Sequence, residues 1–139
     1  MPNPAMDGNS TAIVFGTSGF DANVISLDGP SSSRESIESS HLGTVDNMTF
    51  FAASLADNGE VSLTVEFDPD IVWPFGTGTV QLTEEITITW PLPVGQSTAA
   101  TMVFDAFATA NSGAASNGER MEGTFSLKLT GAITQTPSA

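Results

Sequence analysis

Residues 60–68, EVSLTVEFD, alternate without a fault. Val61, Leu63, Val65 and Phe67 fall on one side, Glu60, Ser62, Thr64, Glu66 and Asp68 on the other. A period of two puts these sets on opposite faces of a β-strand. One face is therefore claimed by a core, and the other offers water a row of carboxylates and hydroxyls. Such a strand needs partners, and the signature recurs over residues 11–15, 20–27, 33–40, 85–90, 98–109 and 121–131. In the last of these, Phe125, Leu127 and Leu129 oppose Thr124, Ser126, Lys128 and Thr130. Turn formers stand between the runs: Gly29-Pro30, Asn58-Gly59, Pro69, Pro74, Pro91, Pro93 and Asn117-Gly118. At 139 residues, with no internal repeat, the chain reads as one domain over 1–139 with a core of its own. The expected fold is all-β: a sandwich or flattened barrel of about eight strands with little or no helix.

Three stretches do not follow the pattern. Residues 41–58 form a connection of 18 residues, too long for a hairpin turn, in which 51–56 have the composition for about one helical turn. Residues 72–82 place Pro74, Gly76 and Gly78 among β-branched neighbours, which a helix tolerates badly. Residues 1–10 and 135–139 are polar and Pro-bearing, with too little apolar surface to fold unaided, and read as extended arms.

Charge and chemistry narrow the function classes. Three basic residues (Arg34, Arg120, Lys128) face sixteen acidic ones, for a net charge of −13. Phosphate neutralisation needs clustered Lys and Arg, so nucleic-acid binding by that route is disfavoured, and anionic membranes equally so. With no cysteine, neither disulfides nor thiolate metal sites arise. The first residues carry no basic, apolar leader pattern, and no secretion signal is expected. The single histidine, His41, follows a strand run and reads as a loop or hydrogen-bonding residue rather than the base of a triad. Asp68-Pro69-Asp70 lacks the spaced oxygen ligands of a calcium loop and reads as a strand terminator. Glu84 and Glu85, adjacent on a strand, point to opposite faces and cannot act on one bond. Trp90 reads as core, and Trp73, beside Pro74 and Phe75, as an interface or local-packing residue. No catalytic residue, cofactor site or metal site is assigned; the expectation is a protein that is not an enzyme.

The run S-R-E-S-I-E-S-S-H-L-G-T at 33–44, the Phe-bearing segment after it, N-G-E-V-S-L-T-V-E-F-D-P-D at 58–70, E-E-I-T-I-T-W-P at 84–91 and the opening A-I-V-F-G-T-S-G-F-D-A-N-V at 12–24 resemble the major tail tube proteins of long-tailed, non-contractile bacteriophages. The resemblance covers most of the chain and rests on the order of several weak patterns. It implies hexameric rings stacked into a tube of the virion tail, assembled in the host cytoplasm. Partners would be other copies, the tape-measure, tip and terminator proteins, and DNA that passes without specific binding. In that frame the face bearing Glu38, Glu60, Ser62, Thr64 and Glu66 would line the lumen, with Asp68 at its rim. Leu42, Met48, Phe50 and Phe51 of the 41–58 segment would make contacts between rings, because a monomer exposing them would risk aggregation. Residues 72–82 depart from the family, whose members often carry a flanking helix there. A secreted β-sandwich, either a pilus subunit or a carbohydrate-binding module, is the alternative; missing cysteines weigh against the first and missing tyrosines against the second.

Overall fold

A computed structural model describes residues 6–16, 23–66, 70 and 83–139. Its described part is all-β: β1 (Ala12–Phe15), β2 (Val24–Asp28), β3 (Ser33–Glu38), β4 (Phe50–Asp57), β5 (Glu60–Glu66), β6 (Glu84–Thr89), β7 (Thr101–Ala114) and β8 (Glu122–Thr136). Six of them form an antiparallel sheet in the order β1-β6-β7-β8-β5-β2, and β3 pairs with β4 as a separate two-stranded ribbon.

The alternation of β5 translates directly into burial. Val61, Leu63 and Val65 are buried, whereas Glu60, Ser62 and Glu66 are exposed. Opposite them β8 contributes Phe125 and Leu127, and across the sheet Ile86, Ile88 and Phe104 close the same cluster. Ile13 and Phe15 of β1 and Val24 and Leu27 of β2 join it from the two edges. A single sheet can bury one face this completely only by curling on itself, and among the described residues there is no second layer to cover it. Of the two forms expected, the structure takes the barrel-like one.

The curl has visible causes. β7 and β8 pair along most of their length, with irregularities between Val103 and Asp105 and between Ala108 and Ala110. Bulges bend a strand and increase its twist. At the second, the Thr109 hydroxyl donates to the Ser126 carbonyl (3.2 Å), occupying an acceptor within the irregular ladder. Ala106 and Ala108 supply small side chains on the inner face where Leu129 and Leu127 stand opposite, a small-against-large arrangement that suits a tight barrel interior.

Several expectations need correction. Residues 41–58 are not one loop, because 50–57 form β4 and only 39–49 connect it to β3. The helical turn at 51–56 is a strand for the same reason. Alternation failed to reveal β4 because neither ribbon face meets the core, and seven of its eight residues are exposed. The arm expected at 135–139 is docked in part: β8 runs to Thr136, and Ala139 exchanges backbone hydrogen bonds with Thr98 and accepts from Ser97. Trp90 packs against the core, as its pattern predicts. Trp73, Phe67, Asp68 and the segment 72–82 lie outside the described residues.

Leu63, with no exposed surface, sits where β5 and β8 meet. Leu63→Ala should lower the unfolding free energy by about 3 kcal/mol, through lost burial and the cavity left behind. Urea denaturation with an unchanged m-value would check it.

Candidate functional site

The outer sheet face is built from what alternation leaves over. Ser26, Thr64, Thr124 and Ser112 stand in register across four strands, β2 to β7, and Asp28, Ser62 and Ser126 form the next row. Glu66 and Glu122 face each other at one end, and Arg120 bridges the two like charges (3.9 and 3.2 Å) while Asn23 donates to Glu66 (2.8 Å). Glu85 and Asp105, both exposed, also face each other between β6 and β7. The surface is thus hydroxylic and acidic. Of the residues expected to line a lumen, Glu60, Ser62, Thr64 and Glu66 share this face, whereas Glu38 ends β3 in the other sheet, opposite Phe50.

The ribbon is the second feature. Phe50 pairs with Glu38 and Phe51 with Ile37, so the two aromatics point to opposite sides. Both are more than half exposed, and Leu42 and Met48 in the 39–49 connection are also exposed. Between Ala52 and Ala56 the register breaks: Ala53, Ser54 and Leu55 stand against Glu35 alone. Arg34 braces this bulge, its guanidinium donating to the Ala53 carbonyl (2.8 Å) and more distantly to that of Ser54 (3.5 Å). Leu55 is left 84% exposed.

The ribbon leaves the sheet through a glycine crossing. Gly29 and Gly59 both have positive φ, and a Cβ on either would strike backbone, that of Glu60 or of Ser31. Only glycine lets the outgoing and returning strands pass so closely. A polar clamp fixes the root. Lys128 reaches Asp57 (2.8 Å), Asn58 donates to the Gly131 carbonyl (2.5 Å), and Ser32 donates to Asn58 (3.1 Å). Asp57 also accepts the Gly59 N–H (2.8 Å). The Lys128 hydrogen bond, then the Gly59 amide, hold the Asp57 carboxyl below its ordinary pKa.

Among the described strands, the two ends of the curled sheet, β1 and β2, are not paired with each other. β2, the 8–11 turn leading into β1, and Trp90 flank an open cleft of about 430 Å³. The cleft has an apolar side in Val24, Leu27 and Trp90, and no charged residue lines it.

Catalytic chemistry finds little footing among the described residues. The His41 ring accepts the Gly43 N–H through Nδ1 (3.0 Å) and its backbone N–H donates to Thr44, so it serves a turn. Glu84 is buried and Glu85 exposed, on opposite faces as their adjacency predicts. Among the described residues, no group of three or more His, Asp and Glu is placed to hold a metal. The seam and the bulge escaped sequence reading. The seam brings Trp90 to residues distant in sequence, and the bulge lies in a ribbon whose second strand carries no alternation, although an arginine in so cation-poor a chain was a signal for it.

No protein-family model and no curated protein matches the chain. Solved structures do. A chain in the sheath/tube terminator of the extracellular contractile injection system PVC, in its extended state, aligns with TM-score 0.71 at 15% identity, covering 96% of this chain and 97% of that one. A chain in the tube-terminating cap of the anti-feeding prophage gives 0.72 at 13%, covering 99% and 94%. A chain in the C6-symmetric tail of an empty GTA particle gives 0.65 at 11%, covering 95% and 99%. The chain shares their fold.

Because the Asp57 pKa is lowered on folding, its contribution is full above the ordinary carboxylate range. It is lost as pH falls from about 4 through the lowered value. The stability advantage of the native chain over Asp57→Asn should therefore be constant near neutrality and vanish in acid. Thermal unfolding of both proteins across pH 2–7 measures this.

Proposed function

We propose that the protein is a structural subunit of a phage-tail-like tube, in which copies form rings and rings stack around a channel. The reading rests chiefly on one observation: the fold likeness spans nearly the whole length of both chains in three tail-like assemblies. The C6 symmetry of the GTA tail supports six copies per ring here. The likeness extends to contractile systems, so it does not single out the non-contractile phages that the sequence patterns resemble. In this reading the protein acts by assembly and makes or breaks no bond.

The β5 face with Glu60, Ser62, Thr64 and Glu66 then lines the channel, where carboxylates repel DNA phosphates and hydroxyls keep the wall wet. The chain's basic side chains strengthen the case, since Arg34, Arg120 and Lys128 are each engaged with a carbonyl or carboxylate of the same chain. Little positive charge remains to hold a passing duplex. Leu42, Met48, Phe50 and Phe51, with the ribbon that carries the aromatics, make the contacts between rings.

A second reading is favoured by the terminator and cap structures: a ring that closes a tube rather than repeating along it. Negative-stain microscopy of the purified protein separates the two. Hollow tubes support the repeating subunit, and single rings the terminator. Monomers at every salt concentration would reject both.

Two variants test the surfaces. Phe50→Ala with Phe51→Ala should give folded, soluble subunits that fail to stack, a loss of about 2 kcal/mol or more per contact if the rings are interface anchors. Normal tube yield would exclude the role. Ser62→Lys with Thr64→Lys should leave rings intact but make them retain DNA in a salt-sensitive way. Unaltered DNA passage would place that face elsewhere.

A further inference from the structure

We propose that Asn117 is a site of spontaneous covalent change, its side-chain amide lost through attack by the Gly118 backbone nitrogen, whereas Asn58 is held against the same reaction. The inference is independent of the tube reading. The chain carries the tripeptide Asn-Gly-Glu twice, at 58–60 and at 117–119. Asparagine is thermally labile, and a following glycine puts no side chain in the way of the attacking nitrogen. With the local sequence matched, the surroundings decide.

The reaction is an internal acyl transfer followed by hydrolysis. The glycine nitrogen gives its proton to solvent and bonds to the asparagine Cγ. The Cγ–Nδ2 bond breaks, and the amide leaves as ammonia with a proton taken from water. Water then opens the cyclic imide at either carbonyl, giving aspartate or its β-linked isomer, isoaspartate. Nothing is oxidised, and water is the only co-reactant. The step needs a side-chain amide free to turn and a backbone N–H free of a strong acceptor.

At 58 these groups are occupied. Asn58 Nδ2 donates to the Gly131 carbonyl (2.5 Å), its Oδ1 accepts from the Ser32 hydroxyl (3.1 Å), and the Gly59 N–H donates to the Asp57 carboxylate (2.8 Å). Lys128 holds the same carboxylate oxygen (2.8 Å), and Asn58 and Gly59 are both half-buried. At 117 the groups are open. Asn117 and Gly118 are the central residues of a turn between β7 and β8, closed by the Glu119 N–H on the Ser116 carbonyl (3.3 Å), and both are exposed. Among the described residues, neither the Asn117 side chain nor the Gly118 N–H has a hydrogen-bond partner. A Cβ placed on Gly118 would meet nothing, so the turn has room for ring closure. The product adds a carboxylate near the sheet end where Arg120 already bridges Glu66 and Glu122.

The native protein is incubated in warm, mildly alkaline buffer and cut with a protease that cleaves after glutamate. Asn58 then falls in peptide 39–60 and Asn117 in peptide 86–119. Fragment mass spectra read the exchange of amide for acid at each asparagine, and isoaspartyl methyltransferase labelling reads the isomer. Conversion at Asn117 should run about tenfold or more ahead of Asn58, whose hydrogen bonds must first be given up. In urea strong enough to unfold the chain the two rates should converge. Equal rates in the folded protein, or faster change at Asn58, overturn the proposal. So does a folded protein that converts at neither site while the unfolded chain converts at both, and so does a preference for Asn117 that persists undiminished in urea. Ser32→Ala with Asp57→Ala frees the Asn58 carbonyl and the Gly59 N–H, and should bring Asn58 toward the rate of Asn117. An Asn58 rate unchanged in that variant, with its circular dichroism intact, overturns the protection.

Discussion

One sheet has to bury its own apolar face, and the rest of the molecule follows from that. The inner residues of β5, β6, β7 and β8 are almost completely excluded from water, with no described helix or second sheet over them. Curling is the remaining solution, and it is bent in by the bulges of the β7–β8 ladder. The seam is its by-product. Six strands wrapped this way leave β1 and β2 as the two ends of the sheet, not paired with each other. A closed barrel would have removed the edges; this sheet keeps them at a defined place.

The ribbon is the complementary consequence. Residues 33–57 cannot add to a sheet already committed to its core, so they leave it at Gly29 and return at Gly59. What keeps them from swinging freely is polar rather than apolar. Lys128, Asp57, Asn58 and Ser32 tie the root to β8 and to itself. Exposed ion pairs contribute little to global stability. Their use here is directional, fixing where a projecting element points.

How much of this was legible in the sequence depended on whether a strand meets the core. β5 and β8 announced themselves because one face is dry and the other wet. β6 and β1 did so nearly as well. β4 did not, because Phe50 to Asp57 bury neither face, and a period of two carries no signal without a difference between faces. Its two phenylalanines, read as loop anchors, are strand residues on opposite sides of the ribbon. The lumen set divided in the same way. Glu60, Ser62, Thr64 and Glu66 came from one alternating strand and stayed together, whereas Glu38 was added from a neighbouring run and belongs to another sheet. The seam was invisible because it joins residues 8–11, 24–27 and 90, which only the topology brings together.

The three cations have one more consequence. Each fastens this chain to itself: Arg34 to the β4 bulge, Arg120 to the end of β5 and β8, Lys128 to the ribbon root. All three contacts sit in water, where salt at about 0.15 M already screens beyond roughly 8 Å. The same salt relieves repulsion between copies that carry −13 each. Ionic strength therefore pulls in opposite directions on two scales, weakening the charge contacts within a chain while lowering the repulsion between chains. Salt that lets two such chains approach holds each of them slightly less firmly.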